Sequence, residues 1–235
     1  MERCREVIVQ AAKACPGRGL AMVCGSGHLY DVPLEELAGM FGKVVLVDAV
    51  HPWRARRLAR KYGDVRLVEA DLTGLLGEAS GWRKGIDARG IVPAAPTELT
   101  ERAPDLTVSA NVLSQLALPV KKRLERLGCP EDAVLEVCRR ITTAHLDWLW
   151  GLAGMRCLIT DTVSRDVDGG TVLEETDLLY GVEVPQGGEE WTWRLAPRPE
   201  AGRGFDRIRR VIACCRHTTL EISPGGPEAM RREFA

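Results

Sequence analysis

The chain has 235 residues, with 32 Lys plus Arg against 33 Asp plus Glu and a formal charge of −1. An apolar fraction of 45% supplies a sizeable core, no run approaches the ~20 apolar residues of a membrane helix, and the near-neutral balance lacks the positive excess of a dedicated nucleic-acid binder. The charged start, Met1-Glu-Arg-Cys-Arg-Glu6, has no apolar stretch of the secretory kind.

Eight cysteines are spread along the chain, without a Cys-x-x-Cys pair, and the four histidines keep no metal-ligand spacing. Several cysteines sit inside apolar runs, where they serve as small hydrophobes. No metal site is expected, and the thiols read as reduced in a cytoplasmic protein.

The helical spacing of Val7, Ile8, Ala11, Ala12 and Cys15 predicts a helix over 2–15, stopped by Pro16-Gly17. Leu20–Cys24 is a short apolar run ending at Gly25-Ser-Gly27, the pattern of a buried strand feeding a tight turn. Pro33 opens a helix whose apolar face is Leu34, Leu37, Ala38 and Phe41. Val44–Val47 is a second strand, ending on Asp48; a basic helix over 53–62 follows, and then a third strand, Val65–Glu69. Three rounds of strand and helix within ~50 residues predict a parallel sheet wound with helices.

Residues 77–104 lose the period and read as an irregular insertion of functional length. Asp105–Ser109 resumes as a fourth strand, followed by a helix broken at Pro119. One long helix covers 131–153 on a stripe that includes His145, read as a core residue. A fifth strand, Arg156–Thr160, ends at Asp161, leaving the Asp161–Asp168 segment as a loop. Late strands are expected at Thr176–Val184, Glu190–Leu195 and Ile208–Cys215, and the tail over 223–235 reads as frayed. No linker divides the chain, so 1–235 is expected to form a single domain.

In an open parallel sheet, ligands bind at the carboxyl ends of the strands, where the strand order reverses. The residues there are Gly25-Ser-Gly27, Asp48, Asp71, Asn111 and Asp161. Glycines let backbone N–H groups approach a ligand, and an acid after the second strand can accept from ribose hydroxyls. His51 precedes Pro52 at a helix start and reads as a solvated or capping side chain. The basic helix carries Arg54, Arg56, Arg57, Arg60 and Lys61; without exposed aromatics among them, it reads as a solvated face rather than a stacking platform.

The order and spacing of Val23-Cys-Gly-Ser-Gly27, Val44-Val-Leu-Val-Asp48, Arg66-Leu-Val-Glu-Ala-Asp71 and Asp105-Leu-Thr-Val-Ser-Ala-Asn111 resemble class I S-adenosylmethionine-dependent methyltransferases over residues 18–165. The resemblance implies an α/β three-layer sandwich with a mostly parallel, seven-stranded, Rossmann-like sheet. It implies Gly25, Ser26, Gly27 and His28 beside the methionine part of S-adenosylmethionine, Asp48 and Ala49 at its ribose, and Asp71 and Leu72 at its adenine. It also implies Asn111 near the transferred methyl; Ser114 and Asp161 are further candidates for catalytic contact. Val23 stands where the family usually carries an acid, and Leu29 where a third glycine often stands. After the fourth strand, Ser109–Gln115 lacks the Asn/Asp-Pro-Pro-aromatic pattern of exocyclic-amine methylation. The implied acceptor is a small or medium-sized molecule, not a nucleic acid, with no membrane partner. A nicotinamide-dependent oxidoreductase and a catalytically silent interaction module on the same fold are the alternatives. The first lacks a complete Gly-x-Gly-x-x-Gly, with Tyr30 at the third position, and has no obvious Tyr-x-x-x-Lys.

Overall fold

All five residues of β1 (Leu20–Cys24) are buried, because a strand flanks each edge and helices cover both faces. β1 pairs in parallel with β2 (Lys43–Asp48) on one side and β4 (Leu106–Ala110) on the other. β3 (Val65–Glu69) extends the sheet beyond β2, and β5 (Met155–Asp168) beyond β4, both in parallel. The computed structural model describes residues 2–97, 99–196 and 204–218; the tail expected to fray lies outside them.

Two antiparallel strands continue the sheet, β8 (Asp206–His217) against β5 and β7 (Glu189–Ala196) against β8. The path runs β3-β2-β1-β4-β5-β8-β7, with β6 (Thr171–Asp177) paired to β5 off this path. Side-chain alternation divides the core. Ala21, Val23, Val108 and Ile159 face α1 (Glu2–Ala14) and α2 (Leu34–Met40), together with Ala55 of α3 (Trp53–Ala59). Leu20, Met22, Cys24 and Leu158 face the opposite layer of α5 (Leu113–Leu116), α6 (Leu118–Arg126) and α7 (Glu131–Gly151). Pro119 lies in the first turn of α6, where its missing N–H costs nothing. Between β3 and β4, α4 (Leu76–Ala79) and a 3₁₀ turn at Ala88–Gly90 are the regular pieces of the irregular segment.

The distal half of the sheet departs from the sequence reading. β5 does not end at Asp161; it runs on to Asp168 and folds back as a hairpin, giving eight strands in place of seven. The turn is Gly169-Gly170, both at positive φ (55° and 93°), the geometry of a two-residue hairpin loop. The strand expected at Thr176–Val184 stops at Asp177. There the Asp177 carboxylate accepts from Leu179 N (2.8 Å) and Gly181 N (2.5 Å), pulling the chain into a turn. The outer parts of β5 and β8 stay paired, and Arg207 donates through Nε and Nη2 to Asp166, each at 2.7 Å.

His145 lies in the middle of α7, 1% exposed, with Nε2 at 2.9 Å from Ser109 Oγ of β4. Burial lowers its pKa from 6.5 to about 4. The unfolded chain therefore binds this proton near pH 6.5, whereas the folded chain takes it up only near 4. The stability contributed by neutral His145 is complete above pH 6.5 and is lost as pH falls toward 4, by about 3 kcal/mol in total. Urea unfolding across that interval should show the decline, and His145→Gln should flatten it; an unchanged slope in the variant would contradict this origin.

Candidate functional site at the carboxyl ends of the strands

The strand order reverses between β1 and β4, and the glycine turn after β1 stands at that reversal. Gly25 has φ +79°, and a Cβ built there would meet Val112 Cβ at 2.5 Å and the Ala110 carbonyl oxygen at 2.7 Å. Its N–H donates to the Val47 carbonyl (2.9 Å), continuing the ladder to β2. Gly27 also has positive φ (+47°), but its side-chain position is open. The next turn residue is Leu29, at φ +64° and buried. It holds a left-handed conformation that usually falls to glycine, at a cost of roughly 1–2 kcal/mol, and anchors the turn in the core.

Asp48 reaches back to the turn, its Oδ2 accepting from Gly27 N at 2.7 Å. Among the described residues no other protein group donates to this carboxylate, so Oδ1 is open to a ligand. Beside it is a cavity of about 160 Å³ lined by Asp48, Ala49, Leu72, Val112, Leu116 and Pro119. That is about half the smallest volume typical of a drug-sized ligand site, ~300 Å³, so it fits one flat end of a molecule. Asp71 does not line it. Both Asp71 oxygens serve the turn into α4: Oδ1 accepts from Thr73 N (2.8 Å) and Thr73 Oγ1 (2.7 Å), and Oδ2 from Leu76 N (2.6 Å).

At the end of β4 and beside the middle of β5 the side chains form a buried polar cluster. Asn111, at φ +52°, donates from Nδ2 to Asp31 Oδ2 at 3.0 Å and lies 3.6 Å from Cys4 Sγ of α1. Asp161 is 2% exposed, and its Oδ2 accepts from Arg209 Nη1 at 2.5 Å. Burial raises the pKa of Asp161 against the pull of Arg209, and Asp31 adds to the rise. Burial likewise raises Asp31, with Asn111 partly offsetting it. Asn111 Oδ1, Ser26 Oγ and Ser114 Oγ are buried without a hydrogen-bond partner among the described residues. Orphaned polar atoms of this kind are rare in native interiors and mark a place for a polar ligand.

Several sequence readings change. Asp161 is a mid-strand residue in a buried ion pair rather than the first residue of a loop. Asp31, Arg209 and Cys4 join the cluster although no local pattern marked them. Tertiary pairing brings them in. His51 is neither solvated nor a cap; it is 2% exposed, its Nε2 3.0 Å from the Val68 carbonyl oxygen. Tyr30 and Trp53 are 50% and 71% exposed beside the arginines of α3, so exposed aromatics do stand among those cations. Among the described residues, no group of three or more His, Cys, Asp or Glu side chains could hold a metal ion, and no helix is long and apolar enough to cross a membrane.

The five parallel strands run β3-β2-β1-β4-β5, the order of a doubly wound sheet. The fold is Rossmann-like. No protein-family model matches the chain, and no curated protein sequence does. Among solved structures, similarity is found to 1,6-didemethyltoxoflavin-N1-methyltransferase of Burkholderia thailandensis, crystallised with 1,6-didemethyltoxoflavin and S-adenosylhomocysteine. Identity is 17%, coverage 89% of this chain and 78% of that one, and the TM-score 0.35. YcgJ of Bacillus subtilis is 8% identical, with 93% and 100% coverage and a TM-score of 0.45. An rRNA methylase of Streptococcus thermophilus is 9% identical, with 88% and 93% coverage and a TM-score of 0.35. The fold class stands on the strand order, not on these scores.

Two outcomes follow from the packing. Gly25→Ala should destabilise the chain by about 2–4 kcal/mol, since steric overlap adds to positive-φ strain, whereas Gly27→Ala should cost about 1 kcal/mol. Equal losses in urea unfolding would contradict the wedge. Arg209→Gln should cost about 3–5 kcal/mol by leaving Asp161 buried without its cation. Adding Asp161→Asn should recover part of that loss, and a double variant no more stable than the single would disprove the coupling.

Proposed function

We propose that this chain is an S-adenosylmethionine-dependent methyltransferase, a single cytoplasmic domain that methylates a small or medium-sized acceptor. The observation that carries the reading is the set of groups gathered at the strand reversal. The glycine turn, the open Asp48 oxygen, the small apolar cavity beside it and the buried Asn111 cluster follow one another along the strand ends. Asp48 would accept from the ribose hydroxyls, and Ala49, Leu72 and Val112 would enclose the adenine. Ser26, Asn111 and Ser114 carry the unpartnered polar atoms for the amino-acid end and the acceptor.

When bound, S-adenosylmethionine supplies a methyl group on a positively charged sulfur. The chain's own task is to orient the acceptor lone pair toward that carbon and to take any proton released, so no protein nucleophile is required. Asp31 and Asp161, both with raised proton affinity, are the groups at the Asn111 end suited to receive a proton from an acceptor N–H or O–H. Val23 is wholly buried in β1, which leaves Asp31 as the carboxylate of the glycine-turn segment that faces this end.

Calorimetric titration should detect binding of S-adenosylmethionine and S-adenosylhomocysteine. Asp48→Asn should weaken both by about tenfold or more, the loss of a charge-assisted hydrogen bond. A chain that binds neither, or that binds a nicotinamide dinucleotide in their place, would overturn the proposal.

A further inference from the structure

The rim of the cleft beside Asp48 carries a row of rings and guanidinium groups that the methyl-transfer reading does not use. His28 stacks on Tyr30 with centroids 5.5 Å apart and planes 9° apart. The Arg54 guanidinium lies 5.1 Å from the Tyr30 ring centre, and that of Arg57 lies 5.4 Å from Trp53. Trp53 is 71% exposed, so packing does not explain it; the residues α3 buries are Ala55 and Ala59. Arg56 is committed, paired to Glu69 and donating to the His51 carbonyl (2.9 Å). Among the described residues, no carboxylate lies within ion-pair distance of Arg54, Arg57, Arg60 or Lys61. In the other basic run, in the middle of α6, Lys121 lies 3.9 Å from Glu125, and Arg123 donates to the carbonyls of Ala79 (3.1 Å) and Trp82.

From this arrangement we infer that the α3 rim is a docking surface for a single strand of nucleic acid, a reading independent of methyl transfer. Unpaired cations track phosphates, and solvent-exposed aromatic side chains such as Trp53 stack bases without regard to sequence. Guanidinium groups poised over the rings add cation–π attraction to both functions. The chain as a whole is nearly neutral, so the field is local and the footprint is short, a few nucleotides between Tyr30 and Trp53. An anionic lipid surface suits the patch less well. Its exposed large apolar side chains near α3 are Tyr30, Val50 and Trp53, a small area to insert, whereas guanidinium groups beside rings suit phosphate and base together.

Fluorescence anisotropy of a labelled single-stranded RNA of about 12 nucleotides, titrated with the full chain at several salt concentrations, tests the inference. Binding should weaken as salt rises. Trp53→Ala should reduce affinity about tenfold at one salt concentration, with thermal melting unchanged. Arg54→Gln with Arg57→Gln should weaken binding and lower the salt slope by about 1.4. Three results would overturn the inference. The strand could fail to bind at about 100 μM protein. A duplex of the same sequence, or heparin, could bind as tightly with Trp53→Ala making no difference. Vesicles of phosphatidylcholine and phosphatidylserine could bind through Trp53 while the strand does not.

Discussion

Everything at the candidate site depends on how closely β1 and β4 approach where their chains part. Gly25 passes over the end of β4 with no room for a methyl group, its side-chain position overlapping Val112 and the Ala110 carbonyl. That contact fixes the glycine turn against the switch point and brings Asp48 within 2.7 Å of Gly27 N. It also brings Val112, which lines the cavity beside Asp48, against the same turn. Loosening it would separate the two ends of the cleft, the apolar cavity on one side and the buried polar cluster on the other.

The two ends have different physical characters. The cavity side is apolar with one open carboxylate oxygen, suited to a flat ring and a hydroxyl-bearing neighbour. The Asn111 side is buried and polar, with two carboxylates whose proton affinity is raised by burial, Asp31 adding to the rise at Asp161. Left-handed backbone at Leu29 and Asn111 frames this end. Such strain persists only where the surroundings over-determine the conformation, and it concentrates at functional sites. A buried Leu29 side chain supplies part of that determination.

Much of the proximal sheet was legible because parallel strands buried on both faces write themselves as short apolar runs ending in glycine or acid. Leu20–Cys24 and Val44–Val47 are of this kind, whereas Val65–Glu69, the edge strand, is only partly buried yet keeps the apolar run ending on an acid. The distal strands were harder, since β5 continues through Thr162-Val-Ser-Arg-Asp-Val-Asp168, a polar stretch whose partners come from β6 and β8. The Asp168-Gly-Gly-Thr171 turn was the local signal for that hairpin. Asp31 and Arg209 carry no local mark, because burial and pairing with distant residues define their roles. The exposure of Trp53 is likewise not written locally. A tryptophan at a helix start usually packs inward, and its exposure follows from Ala55 and Ala59 taking the buried face.

Hydrogen–deuterium exchange with and without saturating S-adenosylhomocysteine tests the central claim, that one ligand bridges both sides of the Gly25 contact. The predicted result is added protection in the segments around 25–31, 48–50, 72–76 and 111–115 together, with the 169–177 hairpin unchanged. Protection confined to the hairpin or to the 182–190 segment, with the glycine turn unaffected, would contradict it.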